Sequence, residues 1–283
     1  MGTPDSGVGN LLLNKKKCEN KMSTFKKTPL KDVSFLIPVR IDHTDRLTNL
    51  EVIIAYLSKY FDTSVWIWEN DVEPKVPDWI RKTTNYHFEP SKGDLFRRTR
   101  INNRLIKACD TPIAVLYDTD VIIPPQQLIA SVEMIRQHRA GFALPYDGRF
   151  VQVDRYHRKL FSRLLEPRML TDSLTAFAVD TYLSVGGCFV FDREVYRRCG
   201  MENEGIEGWG HDDAERVKRL EKLGYSIFRP EGPLFHLWHE RTVNSWFYDE
   251  VRAIRSCRAY LETCKADRGA LERSISLWRW RGE

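Results

Sequence analysis

Ile113-Ala-Val-Leu-Tyr-Asp-Thr-Asp-Val-Ile-Ile-Pro-Pro125 decides the fold. Its first five residues form an apolar run that reads as a strand buried in a parallel sheet. The run ends in two carboxylates, Asp118 and Asp120, and Pro124-Pro125 then stop any regular continuation. Ligands of open α/β sheets bind just beyond the carboxyl ends of the strands. Two charged acids at such an end are costly unless a cation holds them, and a hard cation also holds phosphate oxygens. Plain turn residues are the competing reading of the same pair.

Outward from this strand the pattern is α/β. Val33–Val39 is a first strand with Arg40 and Asp42 at its end. Leu47, Leu50, Ile54, Leu57 and Phe61 then recur at helical spacing. Residues 64–68 and 85–89 read as strands, 94–109 as a strongly basic helix and 125–138 as another helix. This alternation predicts a parallel, doubly wound sheet. Residues 146–180, rich in charge, read as a helical insertion beside the site or as a lid. A strand entered through Gly186-Gly187 follows; glycine allows either close approach of a ligand or a tight bend.

Glu207-Gly-Trp-Gly-His-Asp-Asp213 opens a helix over 212–223. Asp212 and Asp213 at its start suit the helix dipole, so simple capping competes with a chemical role. Trp209 offers a flat face for a sugar ring or fills the core. Residues 225–228 form another strand, and His236 and His239 follow among apolar residues.

The chain has 283 residues, of which 42% are hydrophobic and 29% charged, with a net charge of +5. That is an ordinary globular composition, too mildly basic to require nucleic acid but suited to an anionic substrate. Residues 1–31 read as a flexible basic leader, with Met1-Gly2 and Ser6 formally fitting an acylation pattern that an ordinary start explains as well. Residues 32–244 form the expected catalytic domain, split into a nucleotide half (about 32–124) and an acceptor and metal half (about 140–244). Residues 245–283 form a basic helical extension that packs on the domain, with peripheral membrane contact as a minor reading. Six cysteines lack metal or disulfide spacing, so Cys109 and Cys188 read as reduced core thiols and the setting as cytoplasmic.

These motifs, in this order over 33–241, resemble a GT-A fold glycosyltransferase. The resemblance is to the β-1,4-galactosyltransferase group and its bacterial chondroitin-polymerase-type, family 2 relatives. It implies an α/β, Rossmann-like, mostly parallel central sheet flanked by helices. Pro38 and Arg40 resemble the element cradling uridine, and Glu69 the acid facing the nucleotide base. Phe96, Arg98 and Asn103 resemble the family's F-N-R-A-x-x-x-N segment. Asp118-Thr-Asp120 resembles the D-x-D motif, and Gly186-Gly187 the glycines beside the sugar. Gly208–Asp213 resembles G-W-G-G-E-D, and His236 and His239 a Met-x-x-His pair whose histidine binds the metal. Arg97, His211, Asp212 and His236 depart from these patterns. The animal enzymes carry a membrane anchor that this sequence does not show, which favours a bacterial-type soluble enzyme or a truncated piece of a longer chain.

The implied reaction moves galactose, N-acetylgalactosamine or a related sugar from a UDP-sugar to a saccharide hydroxyl, with inversion. Mn²⁺, or else Mg²⁺, would bind Asp120, His239 and the diphosphate, with two imidazoles in the site if His236 also ligates and one if it does not. Asp118 would contact the ribose or a water on the ion, Asp212 would hold a sugar, and Asp213 would be the general base. Two rivals are a non-catalytic GT-A scaffold and a nucleotidyltransferase. The latter lacks its glycine-rich loop here, since residues 38–43 contain no glycine.

Overall fold

The computed structural model describes residues 26–281. The acylation pattern and most of the basic leader lie outside them. In chain order the first half comprises β1 (Thr28–Val39), α1 (Thr44–Tyr60), β2 (Phe61–Asp71), α2 (Asp78–Thr83), β3 (Asn85–Pro90), α3 (Arg98–Ala108), β4 (Ile113–Tyr117), β5 (Val121–Ile122) and α4 (Pro125–Arg136). Then come β6 (Phe142–Ala143), β7 (Phe150–Val153), α5 (Arg155–Leu164), α6 (Pro167–Asp172), β8 (Ala178–Thr181), β9 (Cys188–Asp192) and α7 (Arg193–Arg198). The chain finishes with α8 (Asp212–Lys222), β10 (Ile227–Phe228), β11 (Leu234–Leu237), α9 (Glu250–Lys265) and α10 (Arg268–Ser276).

Seven strands form the main sheet in the order β10-β6-β9-β4-β1-β2-β3. β1, β2, β3 and β4 run parallel, as the βα alternation requires. All five residues of β4 are buried, which fits its continuous apolar run. β1 starts at Thr28, five residues before the expected Val33. Leu30 there is 1% exposed, so its apolar side chain draws the end of the expected leader into the sheet. The basic helix starts at Arg98 rather than 94, and its first turn carries no acid.

The sheet is not wholly parallel. β9 runs antiparallel between β4 and β6, with Tyr117 paired to Cys188. Its start therefore lies beside the end of β4, and the Asp118 amide donates to the Gly187 carbonyl at 2.9 Å. Gly187 has φ +82°, and a Cβ there would lie 2.8 Å from Leu234 Cδ1, so both conformation and space demand glycine.

A second sheet, β5-β11-β7-β8, forms the other side of the site. β11 pairs antiparallel with β5, setting His236 opposite Val121. The 146–180 stretch contributes β7 and β8 to this sheet as well as α5 and α6, so it is a wall of the site and not solely helical. The C-terminal stretch is a pair of helices. α9 lies against α8, where Thr263 Oγ1 donates to Glu215 at 2.9 Å, and Leu271 and Ile275 of α10 are buried. Cys109 and Cys188 are buried free thiols, and burial pushes Cys109 up to about 11. Among the described residues no helix is long and apolar enough to cross a membrane.

Phe189 is 1% exposed in β9, packed on Phe142, Phe191 and Tyr196. Phe189→Ala is expected to lower the unfolding free energy by about 3–5 kcal/mol, read as an earlier urea midpoint with an unchanged slope.

Candidate active site

The end of β4 opens into a cavity of about 440 Å³. Asp120 sits at its floor, 7% exposed, with its carbonyl accepting from the Leu237 amide at 2.7 Å. This strand contact brings two histidines to the acid. Asp120 Oδ2 lies 3.7 Å from His236 Nε2 and 3.3 Å from His239 Nε2. His239 Nδ1–H donates to the Glu240 carbonyl at 2.8 Å, and His236 Nδ1–H donates to Gln152 Oε1 at 2.8 Å. Each ring is thereby fixed in the tautomer whose Nε2 lone pair faces the carboxylate. Lone pairs and an anion turned toward one another repel unless a cation lies between them. The three ligand atoms lie within 4.8 Å of one another, so the residues fit a single divalent ion, with His236 included alongside Asp120 and His239.

A second cluster forms around Arg98, at the first position of α3. Its guanidinium meets Asp118 at 3.1 Å, Asp212 at 2.6 Å and Asp213 at 2.7 Å. Asp212 and Asp213 occupy the first turn of α8, and the N-cap residue is His211, which makes no side-chain cap bond. The two carboxylates are therefore spent on Arg98 and not on capping. Asp213 Oδ1 also pairs with Arg216 Nη2 at 2.5 Å, and Arg216 in turn pairs with buried Glu202 at 2.8 Å. A Cβ on Gly186 would lie 2.7 Å from Asp213 Oδ2, which explains that glycine.

Most of the expected residues share this one cavity: Pro38, Arg40, Phe96, Arg98, Asp118, Asp120, Gly186, Gly187, Trp209, Asp212, Asp213, His236 and His239 line it. Arg40 also ties down the Asn70 and Gly93 carbonyls, at 3.3 and 2.7 Å. Trp209 stacks on Trp246 at 5.0 Å and is 41% exposed, so it is a rim residue and not a core one.

Two expected residues are elsewhere. Glu69 is fully buried outside the cavity, accepting from the Lys75 and Val76 amides and from the Tyr86 hydroxyl, at 2.7, 3.3 and 2.6 Å. Its oxygens are consumed by the turn after β2. Asn103 is buried too, bonded to the Glu202 backbone in both directions and to Glu204. It secures the segment leading to Gly208 and does not line the cavity. Sequence reasoning missed Arg46, Gln152 and Arg216. Arg46 and Arg216 lie on helices where a cation reads as solvated, and Gln152 lies in the stretch read as a helical insertion or a lid.

Burial is the largest influence on every acid here. It pushes Asp118 up to about 6, against Arg98 and with the help of Asp120 and Asp213. It pushes Asp212 up to about 7, again against Arg98. For Asp213 the pairing with Arg98 and Arg216 overcomes burial and holds the carboxyl below its ordinary value. Asp120 too is held below its ordinary value against burial, with Arg46 close beside its Oδ2.

The fold is that of the GT-A glycosyltransferases. Glucosyl-3-phosphoglycerate synthase from Mycobacterium tuberculosis, solved with Mn²⁺, uridine diphosphate and phosphoglyceric acid, superposes with a TM-score of 0.51 at 15% identity. That alignment covers 93% of this chain and 84% of the synthase. Residues 174–240 match the family model described as the N-terminal domain of galactosyltransferase. The catalytic domain of Drosophila β1,4-galactosyltransferase 7, solved with xylobiose, aligns at 15% identity with a TM-score of 0.43. There the chain covers 64% of the other's length and 70% of its own. No curated protein matches the chain.

The acids give stability a defined pH dependence. The folded state keeps protons on Asp118 and Asp212 up to about 6 and 7, whereas the unfolded chain releases them near the ordinary value of 3.8. Their contribution to stability therefore falls as pH rises from about 4 to 7. Asp213 and Asp120, held low, contribute stability that is lost as pH falls below about 4. In EDTA the melting temperature is expected to peak between about pH 4 and 6 and to be lower at pH 8. Asp212→Asn should flatten the alkaline limb in a calorimetric pH series.

Proposed function

We propose that this chain is a metal-dependent glycosyltransferase that moves galactose, N-acetylgalactosamine or a related sugar from a UDP-sugar to a saccharide hydroxyl, inverting the anomeric centre. One observation carries the reading. An Asp-His-His cluster and an ionised aspartate held by two arginines face the same cavity. A transferase needs a place to stabilise the leaving diphosphate and a place to take the acceptor's proton.

One carboxylate and two imidazoles favour Mn²⁺ over Mg²⁺, which prefers oxygen ligands. When bound, the ion would supply Lewis-acid stabilisation of charge building on the departing nucleotide. Asp120, His236 and His239 hold it, and Gln152 and Glu240 orient the two rings. Pro38, Arg40 and Phe96 form the wall that takes the nucleotide. Asp118, on the same floor, meets the ribose.

Asp213 receives the proton of the acceptor hydroxyl. Arg98 and Arg216 keep it ionised and aim it, with Oδ2 beside Gly186. A weakly basic carboxylate serves where the proton leaves late, as the attacking hydroxyl becomes acidic. Asp212 is gripped by Arg98 through both Nε and Nη2, at 3.1 and 2.6 Å. That grip suits it to fixing Arg98 and a sugar hydroxyl. One base set against one leaving group supports a single displacement, with inversion. Trp209 presents an exposed ring face at the rim for a sugar.

Asp213→Asn is expected to abolish turnover, slow UDP-sugar hydrolysis included, across a panel of UDP-sugars with Mn²⁺. UDP binding should persist in calorimetry; near-normal turnover would remove Asp213 from the base role. The product of an α-linked donor is expected to show the large anomeric proton coupling of a β-linkage. An α-linked product would rule out single displacement.

A further inference from the structure

Three nitrogens converge on one oxygen, Asp120 Oδ2. His239 Nε2 and His236 Nε2 are joined by Arg46 Nη1, at 3.3, 3.7 and 3.2 Å respectively. The imidazoles can ligate a cation. A guanidinium cannot, having five donors and no lone pair. Arg46 lies in the first turn of α1, lines the cavity, and has a side chain 16% exposed. Its Nε pairs with Asp42 Oδ1 at 3.1 Å, and its Nη2 donates to Ser245 Oγ at 3.1 Å. Asp42 is itself fixed by Thr242 Oγ1 at 2.7 Å and Asn244 Nδ2 at 2.9 Å. The root of the guanidinium is therefore anchored, while its tip reaches the oxygen that a metal ion would use.

A guanidinium hydrogen bond and a divalent ion on the same oxygen place two positive charges side by side. They compete. Rotation about the bonds of its aliphatic stem swings the whole planar donor fork away from Asp120 and into the cavity, and such a fork matches phosphate oxygens. We propose that Arg46 is the exchangeable counter-charge of this site. It shares Asp120 Oδ2 with the cation, weakens binding of the bare ion, and passes its hydrogen bonds to the diphosphate when ion and nucleotide enter together. Ion and nucleotide binding are then positively coupled through one side chain. The inference rests on the metal and nucleotide reading above and adds a residue to it that no motif marks.

The test is calorimetric titration of Mn²⁺ alone, then of UDP at saturating Mn²⁺, on the unaltered protein and on R46Q, R46K and R241Q. Arg241 lines the same cavity and makes no ion pair with Asp120. R46Q is expected to bind Mn²⁺ alone about fivefold tighter or more and to bind UDP about tenfold weaker or more, within the usual range of coupling. R46K keeps the charge but cannot span Asp42, Ser245 and Asp120 together. It should shift both affinities the same way by smaller factors, and it serves as the readout should circular dichroism show R46Q misfolded. R241Q should leave the Mn²⁺ affinity unchanged. Equal or weaker Mn²⁺ binding by both folded Arg46 variants overturns the proposal, as does unchanged UDP binding. A matching gain in R241Q assigns the effect to net charge and also overturns it. If the unaltered protein and the variants all fail to bind Mn²⁺, the metal reading falls too, whereas loss of the Arg46 effect alone leaves that reading standing.

Discussion

A single guanidinium holds one side of this cavity together. Arg98 is shared by Asp118, Asp212 and Asp213, which come from the end of β4 and the start of α8. Two carboxylates about 4 Å apart repel by about 4 kcal/mol at an effective dielectric of 20, and partial burial raises the cost. Without a cation among them the three could not all be charged. Arg98 also stands at the N-terminus of its own helix, where a positive charge is disfavoured. The acids offset that local cost, so the cluster is stable only when complete. It ties together segments more than 110 residues apart in the chain.

The Asp120 side obeys a different constraint. Asp120 meets its histidines because a two-residue strand, β5, follows it directly and β11 pairs with that strand. Backbone hydrogen bonds set the register, and register sets which side chain faces the carboxylate. A one-residue slip of β11 would turn His236 away and bring Phe235 or Leu237 toward the acid. Strand pairing and site assembly are thus a single event. The β7 strand carries Gln152 to His236 in the same sheet, so the stretch that looked like an appendage supplies the group that fixes a ring's tautomer.

The two clusters divide the cavity by charge. One, around Asp120, presents lone pairs and suits a cation with its anionic cargo. The other, around Asp213, presents a carboxylate kept ionised by two arginines. Between them lie the paired glycines, where any side chain would fill the space: at Gly186 against Asp213, and at Gly187 against Leu234. The rim is aromatic, with Trp209 stacked on Trp246 from the segment that leads into α9. The C-terminal helices thereby shape the mouth of the cavity as well as buttressing α8.

Much of this was legible in the sequence. An apolar run ending in two acids reads as a buried strand whose carboxyl end calls for a counter-charge, with plain turn residues as the competing reading. A glycine-bracketed tryptophan before two aspartates is poorly explained by capping. The periodicities of α1, α4 and α8 follow from burying one face of a helix. What the sequence could not supply was the direction of individual polar side chains. Glu69 and Asn103 stand where ligand contacts were expected, yet their oxygens turn to nearby amides and to a segment 99 residues away. Arg46 and Arg216 looked like solvated helix charges and are instead paired with acids. Composition and spacing determine which residues are buried and which elements form, because burial of apolar surface is local in its periodicity. Which donor meets which acceptor depends on antiparallel register and helix placement across the whole chain, and only the tertiary structure decides that.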